Sequence, residues 1–202
     1  MIPELTTPTY ALVIWAVAGY LLGSIPFGVL LSRFYGLGDL RQIGSGNIGA
    51  TNVLRTGNKT AAALTLVLDG AKGAVAVLIA RSIAGEDAVQ IAGLAAFLGH
   101  CFPVWLRFKG GKGVATFLGL LLAYAFPLGL AACATWAGTA AIMRISSLSA
   151  LLAAVLAPVW AAMFGLTQAI GMLLVLTILI FLRHKTNIKR LVRGQEPKIG
   201  RK

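Results

Sequence analysis

The chain has 202 residues, of which 58% are hydrophobic and only 12% charged, with a mean hydropathy of +0.85. Soluble domains are about a quarter charged and about half apolar, so this composition excludes an ordinary soluble fold and places the chain in lipid. The net charge of +12 would suggest nucleic acid on a soluble protein. Here it sits in short links between apolar runs, so it is read as topology and no nucleic acid partner is expected.

In chain order, runs long enough to cross a bilayer, about 20 residues, cover 10–32, 60–80 and 88–106. The second carries Asp69 and Lys72, and the third is bounded by Asp87 and Arg107. An uncharged stretch over 113–143 is interrupted at 126–129, and another over 145–182 at 164–168. These interruptions hold Pro and Gly turn signals. Each stretch is therefore read as two spans, giving an all-α polytopic bundle of seven transmembrane helices, with five as the alternative. The runs are continuous rather than alternating, which argues against a β-barrel. The first run is longer than a signal h-region and no small-residue cleavage site follows it, so it is read as an uncleaved span. The whole chain, 1–202, is read as one membrane-embedded domain. Either count puts Arg33, Arg41, Arg55, Lys59, Arg107, Lys109, Lys112 and the basic tail to Lys202 on one side, with Glu4, Arg81, Glu86 and Asp87 opposite. The positive-inside rule makes the basic side cytoplasmic, with the N-terminus outside and the C-terminus inside. Cys101 and Cys133 lie far apart in apolar stretches and are read as small core side chains, with no disulfide or metal.

Polar residues concentrate in four segments. The first, 41–55, holds Gly44, Ser45, Gly46, Asn47, Gly49, Thr51 and Asn52 between Arg41 and Arg55. Glycines let the backbone approach a ligand and aim successive N–H groups at an anion. The neutral side chains add donors, the arginines add charge, and the next helix begins on this side with its positive dipole end. A glycine turn with a capped helix would use the same residues. Gly44, Gly46 and Gly49 also match G-x-G-x-x-G, but no strand precedes them and no βαβ unit surrounds them, so a dinucleotide site is rejected.

The second segment runs from Arg107 and Phe108 through Lys109, Gly110, Gly111, Lys112 and Gly113 to Thr116. It is not a Walker A loop, because Leu106 stands at the first glycine position and Gly113 at the Ser/Thr position. Its glycines, lysines and helix start suit an anion all the same, although a basic topology determinant needs only the charges. The third is Asp69 with Lys72, three apart on one helix face, either a structural ion pair or part of a site that dips below the membrane surface. The fourth, 183–190, places His184 and Asn187 on one helical face among basic residues. A tail gripping anionic lipid explains the cations and not these two. His100 is read as a packing residue.

Absences narrow the chemistry. On the basic side the carboxylates are Asp39 and Glu196, too few for a Mg²⁺ cage, and no metal or other cofactor is expected. Neither histidine has an acid four or five residues later, and no serine sits in a nucleophile elbow. The residues suit the binding of two anions and the stabilisation of negative charge.

At these segments the chain resembles the bacterial acyl-phosphate:glycerol-3-phosphate acyltransferase family, the PlsY family. The motifs that carry the likeness are Gly23 to Gly28, Gly44 to Asn52, Leu68 to Gly73, Gly99-His100, Phe108 to Thr116 and Arg183 to Arg190. The resemblance implies a seven-helix enzyme of the bacterial inner membrane whose active site faces the cytoplasm. It implies transfer of a fatty acyl group from acyl phosphate to the 1-hydroxyl of glycerol 3-phosphate, giving lysophosphatidic acid and inorganic phosphate, with membrane lipid as surroundings. By position, Ser45, Arg55, Lys112, His184 and Asn187 are expected to be catalytic. Arg41, Gly46, Asn47, Gly49, Thr51, Asn52, Lys72, Lys109, Gly110, Gly111, Gly113 and Thr116 are expected to bind substrate or phosphate. An acyl phosphate is already activated, so a substrate phosphate is expected to take the hydroxyl proton while Ser45 and His184 orient and donate. His184 as the direct base is the second mechanism. A phosphate or organic-anion transporter is the alternative function, against which stand the lack of an internal repeat and the gathering of polar residues on one side.

Overall fold

A computed structural model describes residues 1–200, so Arg201 and Lys202 of the basic tail lie outside the described residues. Helices make up the structure, with no strand among the described residues. They are α1 (Thr9–Gly23), α2 (Phe27–Phe34), α3 (Ala50–Leu54), α4 (Lys59–Ile83) and α5 (Glu86–Cys101), then α6 (Val114–Tyr124), α7 (Phe126–Met143), α8 (Ser146–Met163), α9 (Ile170–Arg183) and α10 (Lys185–Val192).

The breaks follow from local chemistry. Pro26 cannot donate to the helix ladder and disfavours helical backbone in Ile25, so α1 and α2 part there. Ala125 is extended and Pro127 opens the first turn of α7, a position where its missing N–H has no consequence. Arg144, with φ +56, ends α7, and Gly165, with φ +73, follows α8. Both interruptions expected from the sequence are therefore present.

Five stretches are long and apolar enough to cross a membrane: Thr9–Phe34, Lys59–Ile83, Glu86–Leu106, Phe126–Met143 and Ser146–Met163. A sixth is Thr167–Arg183 taken with α10, a pair bent by 67°. The remaining apolar helix, α6, has 11 residues. At 1.5 Å per residue that is about 16 Å, against about 30 Å of hydrocarbon. The seven-helix expectation thus includes one helix too short to span on its own.

Lipid is as apolar as leucine, so helices in it associate through close backbone approach rather than hydrophobic burial. The sequence supplies small residues for this. Gly19 and Gly23 of α1 lie against the backbone of Ala92 and Ala96 in α5, leaving no room for a Cβ, and Gly99 lies against Tyr20 and Ser24 in the same way. On the other side Gly73 of α4 meets Thr116 of α6, and Gly119 meets Gly70. Phe97, Phe117, Leu120, Leu121 and Leu173 fill the interior, while Val13, Ile14, Val17 and Ile178 stay exposed as a lipid-facing surface. At the end that carries Glu86, Arg81 donates to the carbonyls of Ala123 and Tyr124 at 2.7 and 2.6 Å. Asp87 there accepts from Thr6 and Thr7.

This packing predicts unequal effects at two helical glycines. Gly23→Val forces a side chain into the Ala96 backbone and should destabilise the detergent-solubilised protein by about 3 kcal/mol or more, read as a lower melting temperature. Gly138→Ala, which meets open space, should leave it unchanged or slightly raised. Equal losses at both positions would contradict the packing account.

Candidate active site

Three of the four polar segments meet at the end of the bundle opposite Glu86. The 39–54 segment is organised by Asn52, which is 1% exposed. Its Nδ2 donates to the Leu40 carbonyl at 2.9 Å. Its Oδ1 accepts from the Ser45 amide at 3.1 Å, the Ser45 hydroxyl at 3.4 Å and Arg55 Nη1 at 3.2 Å. Gly46, with φ +68, closes a turn by donating to the Ile43 carbonyl, a left-handed conformation natural to glycine. Ser45 and Arg55 are exposed and are held side by side through one buried amide.

The α5–α6 loop brings Lys112 beside them. Lys112 Nζ donates to Asn187 Oδ1 at 2.5 Å, and Asn187 Nδ2 donates to Glu196. Glu196 also accepts from the Ser147 hydroxyl at 2.8 Å and from Arg190 Nε at 2.7 Å. Burial raises the Glu196 pKa, but the hydrogen bonds from Arg190, Asn187 and Ser147 outweigh it and hold the carboxyl below its ordinary value. Partial burial, together with Arg190, Arg55 and Arg183, pushes Lys112 down to about 8, against the opposing attraction of Glu196. Lys112 is thus a cation among cations.

A cavity of about 250 Å³ is lined by Ser45, Gly46, Asn47, Lys112, Lys185 and Thr186, among others. An adjoining one of about 420 Å³ is lined by Arg41, Ile48, Phe108 and Lys109. Gly46, Gly110 and Arg183 border both. Arg183 donates from Nε to the Gly111 carbonyl at 3.0 Å and from Nη2 to the Gly110 carbonyl at 2.9 Å, tying the end of α9 to the loop. Among the described residues no group of three or more His, Cys, Asp or Glu could hold a metal. Two cationic cavities separated by little more than two glycines and an arginine suit two phosphates held side by side.

A family model for glycerol-3-phosphate acyltransferase matches residues 13–194. The chain belongs to that family. It is 64% identical over 201 residues to a glycerol-3-phosphate acyltransferase of Jannaschia sp. (strain CCS1), covering 100% of this chain and 99% of that one. It is 63% identical over 202 residues to one from Ruegeria sp. (strain TM1040), with 100% of each covered. Its fold matches the crystal structure of PlsY, an integral membrane glycerol 3-phosphate acyltransferase, in the glycerol 3-phosphate form. The TM-score is 0.88 at 38% identity, covering 94% of this chain and 96% of that chain. The lysophosphatidic acid form of PlsY gives a TM-score of 0.85 at 36% identity, covering 94% and 95%. A family of acyltransferases leaves no place for the transporter alternative.

Measured against the residues expected for this family, the structure brings Ser45, Asn47, Gly46, Lys112, Arg41, Lys109 and Gly110 to the cavity walls. Arg55 and Asn187 adjoin them through Asn52 and Lys112. The other expected residues make contacts within the protein. Asn52 is buried, and its amide oxygen orients Ser45 and Arg55. The amides of Gly110 and Gly111 donate to the Cys101 and His100 carbonyls, each at 3.1 Å, so they are not free to cradle a phosphate. Gly111 and Gly113 are buried, and Gly113 opens α6 at φ +82 with no room for a Cβ beside Phe97. Thr116 is fully buried and donates to the Asp69 carbonyl at 2.8 Å. Lys72 lies inside the bundle, paired with Asp69 at 2.9 Å. Gly49 caps α3, and Thr51 is exposed with its hydroxyl 3.3 Å from that of Ser146.

His184 follows the last residue of α9 and is 2% exposed. Its Nδ1 lies 2.8 Å from the Ile180 carbonyl. A carbonyl only accepts, so Nδ1 carries the hydrogen and Nε2 is left as an acceptor. In this neutral tautomer Nε2 offers an acceptor where a donor was expected. Burial, with Lys112 and Arg183 close by, pushes His184 down to about 4. Glu196, Ser147 and Arg183 went unassigned from the sequence as parts of the site. The one available signal was Glu196 itself, a lone acid in a strongly basic tail.

The depressed pKa of Lys112 predicts a pH dependence. The side chain is charged below about 8 and neutral above it. Affinity for a phosphate dianion should therefore fall as pH rises through that value, by up to about tenfold per unit. KM for glycerol 3-phosphate, measured between about pH 7 and 9.5 where the ligand is already dianionic, should climb in wild type. In Lys112→Arg, whose guanidinium keeps its proton, KM should stay flat across that range. A flat wild-type profile would contradict the assignment.

Proposed function

We propose that this chain transfers a fatty acyl group from acyl phosphate to the 1-hydroxyl of glycerol 3-phosphate, releasing lysophosphatidic acid and inorganic phosphate. The observation that carries the proposal is the pair of adjoining cationic cavities that share Gly46, Gly110 and Arg183. Both substrates are phosphates, and the acyl group passing from one to the other would cross between two adjoining phosphate sites. The reading also covers topology: seven membrane-associated helical segments, N-terminus outside, and the site on the cytoplasmic face of a bacterial inner membrane. In its support, the basic residues gather at the end that carries the cavities, as the positive-inside rule requires. An acyl chain can then remain in lipid while its phosphate head meets the loops.

In the reaction, the 1-hydroxyl oxygen bonds to the acyl carbon and the bond from that carbon to the phosphate oxygen breaks. The hydroxyl proton passes to a phosphate. A phosphoester has a second pKa of about 6, whereas His184 is held near 4, so at neutral pH the phosphate is the better base. Neutral His184 can still accept a hydrogen bond and orient its donor. Lys112, Arg55 and Arg183 stabilise charge on the two adjoining phosphates, and the hydroxyl of Ser45 supplies a neutral donor on the same wall.

The test is phosphate release from acyl phosphate by the purified protein with glycerol 3-phosphate present. Lys112→Ala and Arg55→Ala should each lower kcat/KM by about 10²-fold or more, as lost preorganised donors do. Lys198→Ala, on the exposed tail, should change it little. No turnover in wild type would refute the proposal, and equal losses at all three positions would reduce the basic face to a diffuse attractor.

A further inference from the structure

One buried cluster of titratable groups has no part in the chemistry above. Asp69 and Lys72 form an ion pair of 2.9 Å within the bundle, and His100 of α5 brings Nδ1 to 3.6 Å from the same carboxylate oxygen. The three side chains are 2%, 3% and 4% exposed. Charges at such depth are costly and rarely without a task, yet none of the three lines either cavity.

Their remaining contacts lead to the two loops. Lys72 Nζ also donates to the Ile25 carbonyl at 2.8 Å, in the break between α1 and α2. Three residues on, Gly28 lies so close to the Ile48 carbonyl that no Cβ fits, and Ile48 belongs to the loop that carries Ser45 and Asn47. In the other direction, the His100 carbonyl accepts the Gly111 amide at 3.1 Å. The His100 ring occupies the space where a Gly111 Cβ would stand, and Gly111 precedes Lys112. One ion pair in α4 therefore reaches both walls of the site without touching its contents.

We propose that Asp69, Lys72 and His100 are positioning residues that hold the Ser45 loop and the Lys112 loop at one fixed separation, an inference that rests on the site as read above. The reacting atoms of two bound molecules must approach within about 3–3.5 Å, and a misplacement of about 1 Å lowers the rate by about 10²-fold. Each cavity takes residues from both loops, so a small change in their separation weakens only part of each phosphate's contacts, whereas transfer needs both molecules in register and kcat is hit harder.

The experiment compares full-length wild type, the double variant Asp69→Leu with Lys72→Met, and His100→Asn, all in detergent. The double variant removes both charges at similar volume and leaves no unpaired ion, so its melting temperature should match wild type. It should bind glycerol 3-phosphate with a Kd within about threefold of wild type while kcat falls about tenfold or more. His100→Asn keeps the ion pair and a donor facing Asp69 but empties the space beside Gly111, and should show the same split. Unchanged kcat in both variants, or a Kd that rises in step with the loss of kcat, would overturn the proposal. So would failure of both variants to fold, since the triad would then hold the fold rather than a spacing. Absence of turnover in wild type counts instead against the proposed function.

Discussion

A lysine ammonium half out of water at the end of a helical bundle needs a partner, because an unpaired buried cation costs several kcal/mol. Lys112 has the amide oxygen of Asn187, and Asn187 in turn is held by Glu196, which also takes Ser147 and Arg190. This chain of bonds joins three stretches that are remote in sequence: the α5–α6 loop, the first turn of α8, and α10 with the tail that follows it. Its single carboxylate leaves Lys112, Arg55, Arg183 and Arg190 in net excess of positive charge. A phosphate dianion is the natural complement, since it would relieve all of them at once.

The membrane fold serves this arrangement through small residues. Because glycines of α1 meet alanines of α5, and glycines of α4 meet α6, the helices carry the two loops within reach of one another. In the proposed reaction the acyl chain of the donor would stay in lipid while its head enters the charged cavities. Catalysis would then depend on geometry and charge, since a mixed anhydride needs no further activation.

Much of the bundle was legible in the sequence. Continuous apolar runs mark helices, and Pro127 and Gly165 mark breaks, because their backbone preferences act locally; the break at Pro26 falls inside a run read as one span. The candidate site was legible as a set of residue types and less so as roles. Gly110 and Gly111 look like a phosphate cradle, yet which acceptor an N–H meets is set by the end of α5, remote in its fold from any spacing rule. Asn52 reads as a donor to ligand, whereas its buried Nδ2 donates to the Leu40 carbonyl and its Oδ1 accepts from Ser45 and Arg55. Lys72 and Thr116 carry polar groups on helix faces turned into the bundle, where both meet Asp69. Glu196 joins the site only because the tail folds back on α8, and no local pattern announces such a return.

The central claim is that the acyl group passes directly from one phosphate-bound molecule to the other. The most direct test gives the protein acyl-labelled acyl phosphate in single turnover without glycerol 3-phosphate, then adds glycerol 3-phosphate. Direct transfer predicts no phosphate release and no labelled protein before the addition, and afterwards phosphate and lysophosphatidic acid appearing at one rate. A stoichiometric burst of phosphate before the addition, with the label on Ser45, would contradict it and make the reaction a covalent two-step transfer.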